Sequence, residues 1–175
     1  EDPVEYVFPG INQVQTNAKA GLTFATGLKA LLRQDPDTIL VGEIRDVDTA
    51  RIAIQSALTG HFVLSSLHGT DAVAALHRLL DMGIEAFLVA SAIVGVVSQR
   101  LLRKMCDNCK EPYTPGAEEL AVFRQHSGGS DKTVFYHGKG CSYCSNTGYR
   151  DRIGVYELLQ TNDQIRAQIH NRASE

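Results

Sequence analysis

Several features that mark common classes of protein are missing from this sequence of 175 residues. It has no tryptophan, its aromatic content is 7%, and its formal net charge is −3. Nucleic-acid-binding proteins usually combine a basic surface with exposed aromatic rings, so this composition argues against a nucleic-acid partner. No run approaches the ~18 apolar residues of a membrane-spanning helix, and we expect no direct membrane insertion. The longest apolar segment, 86–97, is interrupted by Ser91 and is typical of a buried helix.

A phosphate-binding loop is also missing from the sequence. The motif G-x-x-x-x-G-K-[ST] does not occur, and the pair Gly128 and Gly129 lacks the lysine and the hydroxyl that would complete it. The sequence begins with Glu1 and shows no charged-then-apolar leader. We interpret the chain as a fragment of a longer protein.

The first part of the chain alternates helix-like and strand-like patterns. Apolar residues recur at helical spacing over 21–34, and short apolar runs at 38–41 and 62–67 are typical of buried parallel strands. Further helices are predicted after Asp46 and over 70–82. This order of elements with short links predicts an α/β fold with a parallel sheet.

The pattern changes near residue 105. Loops rich in proline and glycine surround a short predicted helix at 117–125 and two short predicted strands at 133–136 and 152–156, and helical spacing returns at 163–170. We therefore predict three parts. These are an α/β core over 1–105, a small metal-dependent module over 106–160, and a terminal helical segment over 161–175.

The four cysteines of the chain form two C-x-x-C pairs, Cys106 with Cys109 and Cys141 with Cys144. Such a pair presents two sulfurs to one tetrahedral ion, and two pairs complete a Cys₄ structural zinc site. The alternatives are two disulfides, free thiols or redox chemistry. Disulfides are rare in cytosolic chains, which this sequence otherwise resembles. We predict one structural zinc ion.

Acidic and imidazole side chains gather where the predicted strands end. Glu43 follows the first strand, while His61 precedes the second strand and His68 follows it. In α/β sheets ligands bind at the carboxyl ends of the strands, where a carboxylate can hold Mg²⁺ and the next helix can offer amides to an anion. On the residues alone, Glu43 more often simply begins a loop in such a pattern, Asp46 caps a helix, and a lone histidine is more often structural.

Motifs along most of the chain resemble, in order, those of the ATPases of type II secretion and type IV pilus assembly. They are EDPVE at 1–5, LRQDPD at 32–37, ILVGEIRD at 39–46, TGH at 59–61 and LH at 67–68. The paired C-x-x-C motifs and RIGVYEL at 152–158 resemble the assembly branch rather than the retraction branch. The resemblance implies the C-terminal half of a RecA-like P-loop NTPase core, followed by a zinc module and C-terminal helices.

The resemblance also implies catalytic roles for four positions. Glu1 matches the carboxylate that activates the attacking water, and Glu43 matches the carboxylate that acts on Mg²⁺ through water. His61 and His68 match the histidines that sense the γ-phosphate region. The four cysteines match the zinc ligands of the family.

Four further positions match residues of the nucleotide and magnesium neighbourhood in that family: Asp2, Glu5, Arg33 and Arg45. The two arginines are also candidates for subunit contacts. The sequence departs from the family pattern at Gly69, where a hydroxylic residue is usual, and at Asp151, where a glycine is usual.

The function implied by the resemblance is that of a homo-hexameric, cytoplasmic ATPase. It would use Mg-ATP to drive pseudopilin or pilin assembly and lie at the inner membrane through platform proteins. Without a phosphate-binding loop, the 175 residues alone are expected to be inactive. The alternative is a non-enzymatic zinc-ribbon module that binds protein or nucleic acid.

Overall fold

The computed structural model describes residues 1–129 and 132–171. Its helices are α1 Phe24–Leu31, α2 Val47–Leu58, α3 Ala72–Asp81, α4 Ala86–Ala92, α5 Ala117–His126 and α6 Asp163–His170. Its strands are β1 Thr38–Val41, β2 Phe62–Ser65, β3 Gly95–Met105, β4 Lys110–Tyr113, β5 Phe135–Gly138 and β6 Tyr149–Gln160. None of the helices in these described ranges is long and apolar enough to cross a bilayer.

The chain divides into two compact units, the first formed by 1–98 with 156–175 and the second by 99–155. Strands β3 and β6 pair with each other, and each continues from one unit into the other. The predicted domain limits at 105 and 160 stay a prediction, and they coincide with the ends of β3 and β6. Residues 172–175 of the predicted terminal segment lie outside the described residues.

Strands β1 and β2 form the parallel pair that the sequence predicts. Thr38 lies opposite Phe62 and Val41 opposite Ser65, so the two carboxyl ends lie side by side. Ile39 and Val41 are buried, and α2 packs on β2, α1 and α4. The opposite face is open, since Leu40 is 60% exposed. Strand β1 is therefore buried on one face only, and in β2 only Val63 is half-buried, whereas the sequence predicted two buried strands.

Polar side chains cap α2, α3 and α6 in the first unit. Asp46 accepts a hydrogen bond from the amide of Thr49 at 2.8 Å, as predicted for the cap of α2. Asp71 caps α3 in the same way, and Asn162 caps α6. Helix α6 belongs to the core of the first unit, since Ile169 is 6% exposed within its apolar cluster. The described part of the predicted terminal segment, 161–171, thus contributes to that core.

Helix α4 is shorter than the predicted helix over 86–97. It ends at Ala92, Ile93 adopts an extended conformation, and β3 begins at Gly95. β-Branched residues dominate 93–97, and they favour a strand once a partner strand is present. That partner is β6, more than fifty residues later in the chain, so a local pattern could not reveal it.

The second unit is built from short elements around the cysteines. Strands β4 and β5 are antiparallel with Tyr113 opposite Phe135, and the ring of Phe123 from α5 lies edge-on to Phe135 at 5.1 Å. Gly138 and Gly148 approach backbone to backbone, and a Cβ on either would overlap the carbonyl oxygen of the other. Only glycine fits at these two positions.

Candidate functional site

Glu43 is the centre of a cluster of charged side chains at the carboxyl edge of β1 and β2. Its carboxylate forms an ion pair with Arg45 and lies 3.6 Å from Nε2 of His68. The Glu43 side chain is 17% exposed, whereas that of His68 is 95% exposed. The hydrogen bond from Arg45, with the positive charge of Arg45 and of His68, holds the pKa of Glu43 below its ordinary value against the effect of burial. The parallel register therefore brings Glu43 and His68 together, as the sequence suggested.

The residues of the segment 43–46 have separate roles. Ile44 is 9% exposed and belongs to the apolar core, which anchors the segment behind Glu43. Arg45 points back to Glu43, and Asp46 caps α2. One short segment thus holds a carboxylate at the sheet edge, pairs it with a cation and starts the next helix.

The acidic N-terminal segment lies at the same edge. A Cβ on Gly42 would lie 3.4 Å from Cα of Glu1, so Glu1 packs against the residue before Glu43. Nε2 of Gln13 donates a hydrogen bond to the Glu1 carboxylate at 2.9 Å. Asp2 lies 4.0 Å from Arg45, and Glu5 is exposed.

His61 and Arg33 lie at the other edge of the sheet. His61 immediately precedes β2, and its Nδ1 lies 3.0 Å from the carbonyl oxygen of Ser56 at the end of α2. Arg33 is exposed in a 3₁₀ turn before β1. Since the strands are parallel, these two residues are separated from Glu43 by the length of the strands. The structure does not bring them into the Glu43 cluster within one chain.

The first turn of α3, which follows His68, has carboxylate partners for two of its amides. Asp71 accepts a hydrogen bond from the amide of Ala74 at 2.7 Å, and Glu157 accepts one from the amide of Ala72 at 3.2 Å. Two carboxylates therefore already bind two of the amides that this helix would offer to an anion. Gly69 lies against the same turn, and a Cβ there would lie 3.2 Å from the amide nitrogen of Ala75.

Ser66 is a residue at this edge to which the sequence assigned no role. Its hydroxyl donates a hydrogen bond to the carbonyl oxygen of Gly42 at 2.6 Å, and its own carbonyl accepts one from the amide of Ile44 at 3.0 Å. The only sequence signal is a small hydroxylic residue two positions before His68.

The four cysteines converge in the second unit as predicted. Their sulfur atoms all lie within 4.8 Å of one another, and the separations of 106 from 141, 109 from 144 and 141 from 144 are 3.9, 3.8 and 3.7 Å. Zinc–sulfur bonds of ~2.3 Å at tetrahedral angles place neighbouring sulfurs about 3.8 Å apart. The sulfur positions therefore fit one tetrahedral ion, and they are too far apart for disulfide bonds.

The charge state of these thiols also fits a cation. Burial raises the pKa of Cys109 to about 12. Burial acts on Cys144 in the same direction, but hydrogen bonds from the amides of Cys141 and Gly148 lower its pKa to about 6. Four sulfurs this close cannot all ionise without a cation to offset their repulsion, and a divalent ion supplies that offset.

Comparison with known proteins agrees with this arrangement. The model of the family described as type II/IV secretion system protein matches residues 1–175, which is the whole chain. The chain belongs to this family. The resemblance inferred from the motifs is thereby confirmed.

Curated relatives within the family share about half of their residues with this chain. The type II secretion system protein E of Dickeya dadantii is 51% identical over the whole chain, and the type II secretion system ATPase E of Vibrio cholerae is 49% identical. The type IV pilus assembly ATPase PilB of Thermus thermophilus is 51% identical over 95% of the chain. The chain spans 34% of the length of the first two proteins and 19% of the third.

Solved structures confirm the predicted fold. The pilus retraction motor PilT with bound ADP matches 98% of this chain and 40% of its own, at a TM-score of 0.66 and 29% identity. The ATPase DotB of Yersinia pseudotuberculosis matches the same share of this chain at a TM-score of 0.61 and 19% identity, which supports the fold alone. The α/β half-core with an added four-cysteine cluster is the fold expected from the motifs.

Proposed function

We propose that this chain carries the part of the active site of a secretion or pilus-assembly ATPase that acts on magnesium and on the attacking water. It also carries the structural zinc module of that protein. The observation that carries the proposal is the meeting of Glu43, Glu1, Arg45 and His68 at the carboxyl edge of two parallel strands. Ligands of α/β sheets bind at this edge. The proposal is supported by the relatives from Vibrio cholerae and Thermus thermophilus, which are named as ATPases.

The residues of the cluster divide the chemistry among them. Mg²⁺, when bound with ATP, neutralises the charge that develops on the phosphates during transfer. Glu43 is assigned to that ion through water, because its largely buried carboxylate is fixed at the sheet edge. Glu1 is assigned as the base that orients the attacking water, with Gln13 fixing its carboxylate. His68 is assigned to the γ-phosphate region, since its exposed ring already contacts Glu43.

Arg45 has two roles in this proposal. It neutralises Glu43 and Asp2 while the edge is free of a metal ion. A divalent ion that approaches Glu43 competes with this guanidinium, so Arg45 becomes available to a phosphate oxygen when the ion arrives. Asp2 and Glu5 extend the acidic edge.

Arg33 and His61 belong to a different part of this scheme. Both lie at the amino edge of the strands, away from Glu43. A nucleotide role for Arg33 therefore requires a second subunit, in keeping with the homo-hexameric ring that the family resemblance implies. His61 would act through the end of α2, where its ring contacts Ser56.

The four-cysteine cluster is proposed to hold one structural zinc ion. A closed Cys₄ set leaves no position for a substrate or for a catalytic water. The ion would organise the second unit, whose elements are too short to form a large core of their own. The parent protein would act in the cytoplasm and reach the inner membrane through platform proteins, where it would drive pseudopilin or pilin assembly.

The test of the proposal is steady-state ATP hydrolysis by the full-length protein. Glu43→Gln and Glu1→Gln should each lower kcat by at least about 100-fold while nucleotide binding changes little, because charge at the reacting centre acts mainly in the transition state. Glu118→Gln, an exposed change in α5, is the matched control and should leave kcat unchanged. Wild-type kcat in both edge variants would contradict the proposal and favour the non-enzymatic zinc module.

A further inference from the structure

A single residue, Ser66, binds the backbone on both sides of Glu43. Its hydroxyl donates to the carbonyl of Gly42 at 2.6 Å, and its carbonyl accepts from the amide of Ile44 at 3.0 Å. Both contacts lie beyond the last paired residues of β1 and β2, which are Val41 and Ser65. The two segments therefore stay joined past the end of the regular strand pairing.

We propose that Ser66 is a positioning residue that sets the place of the Glu43 carboxylate relative to His68. This inference rests on the proposed function, in which Glu43 acts on a magnesium ion. Ser66 lies two residues before His68 and hydrogen-bonds to the backbone of Gly42 and Ile44, on either side of Glu43. It therefore restrains both the segment that carries the histidine and the backbone that carries the Glu43 side chain. The distance of 3.6 Å between the Glu43 carboxylate and Nε2 of His68 depends on the positions of both backbone segments.

The backbone contact and the hydroxyl contact have different consequences. The bond from Ile44 to the Ser66 carbonyl is made by backbone atoms and remains in any variant of Ser66 other than proline. The hydroxyl bond alone restrains the carbonyl of Gly42, the peptide group that leads into Glu43. Loss of the hydroxyl therefore allows this peptide group to rotate without breaking the sheet. A displacement of about 1 Å at a catalytic group can lower a rate by about 100-fold.

Solvent limits the size of the expected effect. Ser66 is exposed, and a water molecule can replace part of the lost hydrogen bond. We therefore expect a fall in kcat of about tenfold rather than about 100-fold, in the range set by one lost hydrogen bond. The KM for ATP should change little, since Ser66 acts through Glu43 and not on the nucleotide.

The experiment uses the full-length protein and a pair of variants of equal volume at position 66. Ser66→Thr keeps the hydroxyl and should retain wild-type kcat, whereas Ser66→Val lacks it and should lose about tenfold. Ser66→Ala should behave as Ser66→Val does. The control is Ser91→Ala in α4, which removes a serine hydroxyl that donates to a carbonyl at 2.7 Å away from the cluster and should leave kcat unchanged.

A double-mutant cycle separates positioning from general stability. If Ser66 acts through Glu43, Ser66→Val should lower kcat much less in a Glu43→Gln background than in the wild type. Equal effects in both backgrounds would overturn the inference. So would equal kcat in Ser66→Thr and Ser66→Val when their unfolding midpoints match.

The same variants at positions 43 and 66 distinguish a failure of this inference from a failure of the proposed function. If Glu43→Gln lowers kcat and Ser66→Val does not, only the role of Ser66 is wrong. If Glu43→Gln leaves kcat unchanged, the proposed function is wrong and the role of Ser66 falls with it.

Discussion

The carboxylate of Glu157 accepts a hydrogen bond at 3.2 Å from the backbone amide of Ala72, a residue 85 positions earlier in the chain. The contact ties β6 to the first turn of α3, where Asp71 also binds an amide. Two carboxylates at one helix start stabilise the positive end of its dipole. They also hold the segment that runs from His68 into the helix.

Removal of the Glu157 carboxylate should loosen the start of α3. We expect Glu157→Ala to lower the free energy of unfolding of the 175-residue chain by about 1 kcal/mol, and Glu157→Gln to lower it less, because the amide oxygen still accepts a hydrogen bond. Hydrogen exchange at the Ala72 amide should be faster in Glu157→Ala. Glu118→Ala, in the first turn of α5, is the control and should leave exchange at Ala72 unchanged. Unchanged exchange in Glu157→Ala would show that the contact contributes nothing in solution.

The four-cysteine cluster predicts that the protein contains bound zinc. Protein purified under reducing conditions without added metal should contain about one zinc ion per chain by elemental analysis. Cys141→Ser removes one thiolate and should release the ion, with loss of structure over 99–155 seen in the amide spectrum, while β1 and β2 keep their signals. Ser142→Ala, which changes a residue between Cys141 and Cys144 that is not a cysteine, is the control and should keep the ion. A folded, reduced sample with almost no metal would contradict the zinc assignment.

The ion pair between Glu43 and Arg45 predicts a pH dependence. Arg45 holds the pKa of Glu43 below its ordinary value of 4.5 in the folded chain, so the unfolded chain binds the proton more readily. The stability from this pair is therefore fully present above 4.5 and is lost as the pH falls through the folded-state pKa. Arg45→Ala should raise the pKa of Glu43 and remove this part of the acid dependence.

A carbon-13 titration of the Glu43 carboxyl in the 175-residue chain measures this pKa directly. Arg51→Ala, an exposed change in α2, is the matched control and should leave it unchanged. A Glu43 that titrates at the same pH with and without Arg45 would show that the ion pair does not form in solution.

Local signals in the sequence are enough to predict many of the elements. The run Thr38–Val41 has strand-forming residues after the helix-stopping segment 35–37, and β1 occupies that range. Asp46 was predictable as a cap because a small acidic residue precedes helical spacing. Parallel strands place their carboxyl ends together, so the meeting of Glu43 with His68 followed from the order of elements.

The remaining features depend on contacts between distant parts of the chain. The end of α4 and the length of β3 depend on pairing with β6. The amide of Ala72 at the start of α3 is bound by Glu157, which lies 85 residues later in the chain. His61 is different, because its place before β2 and the parallel pairing already put it at the opposite end of the strands from Glu43, although the family resemblance groups it with His68. The role of Ser66 likewise depends on its hydrogen bond to Gly42 across the sheet, which no local sequence pattern indicates.

The 175 residues alone are expected neither to hydrolyse ATP nor to bind it tightly. Phosphoryl transfer depends on groups that grip and neutralise the β- and γ-phosphates, and the sequence contains no G-x-x-x-x-G-K-[ST] to supply them. The edge of the sheet presents the carboxylates of Glu1, Asp2 and Glu43, which repel an uncomplexed triphosphate. Arg45 offsets part of this charge, but it is already paired with Glu43. The amides of Ala72 and Ala74 at the start of α3 are bound by Glu157 and Asp71, which leaves this turn a poor substitute for a phosphate-binding loop.

Calorimetric titration with Mg-ATP and a phosphate-release assay on the purified chain test this prediction. We expect a dissociation constant no tighter than about 1 mM, which corresponds to a binding free energy of only about −4 kcal/mol. Phosphate release by the wild-type chain should equal that by Glu43→Gln. A site that does not bind the β- and γ-phosphates cannot use the carboxylate of Glu43 for catalysis. The full-length protein, measured in parallel, is the positive control. Tight binding by the 175 residues, or release that Glu43→Gln abolishes, would mean that these residues form a complete nucleotide site, with the phosphates held by groups other than a glycine-rich loop.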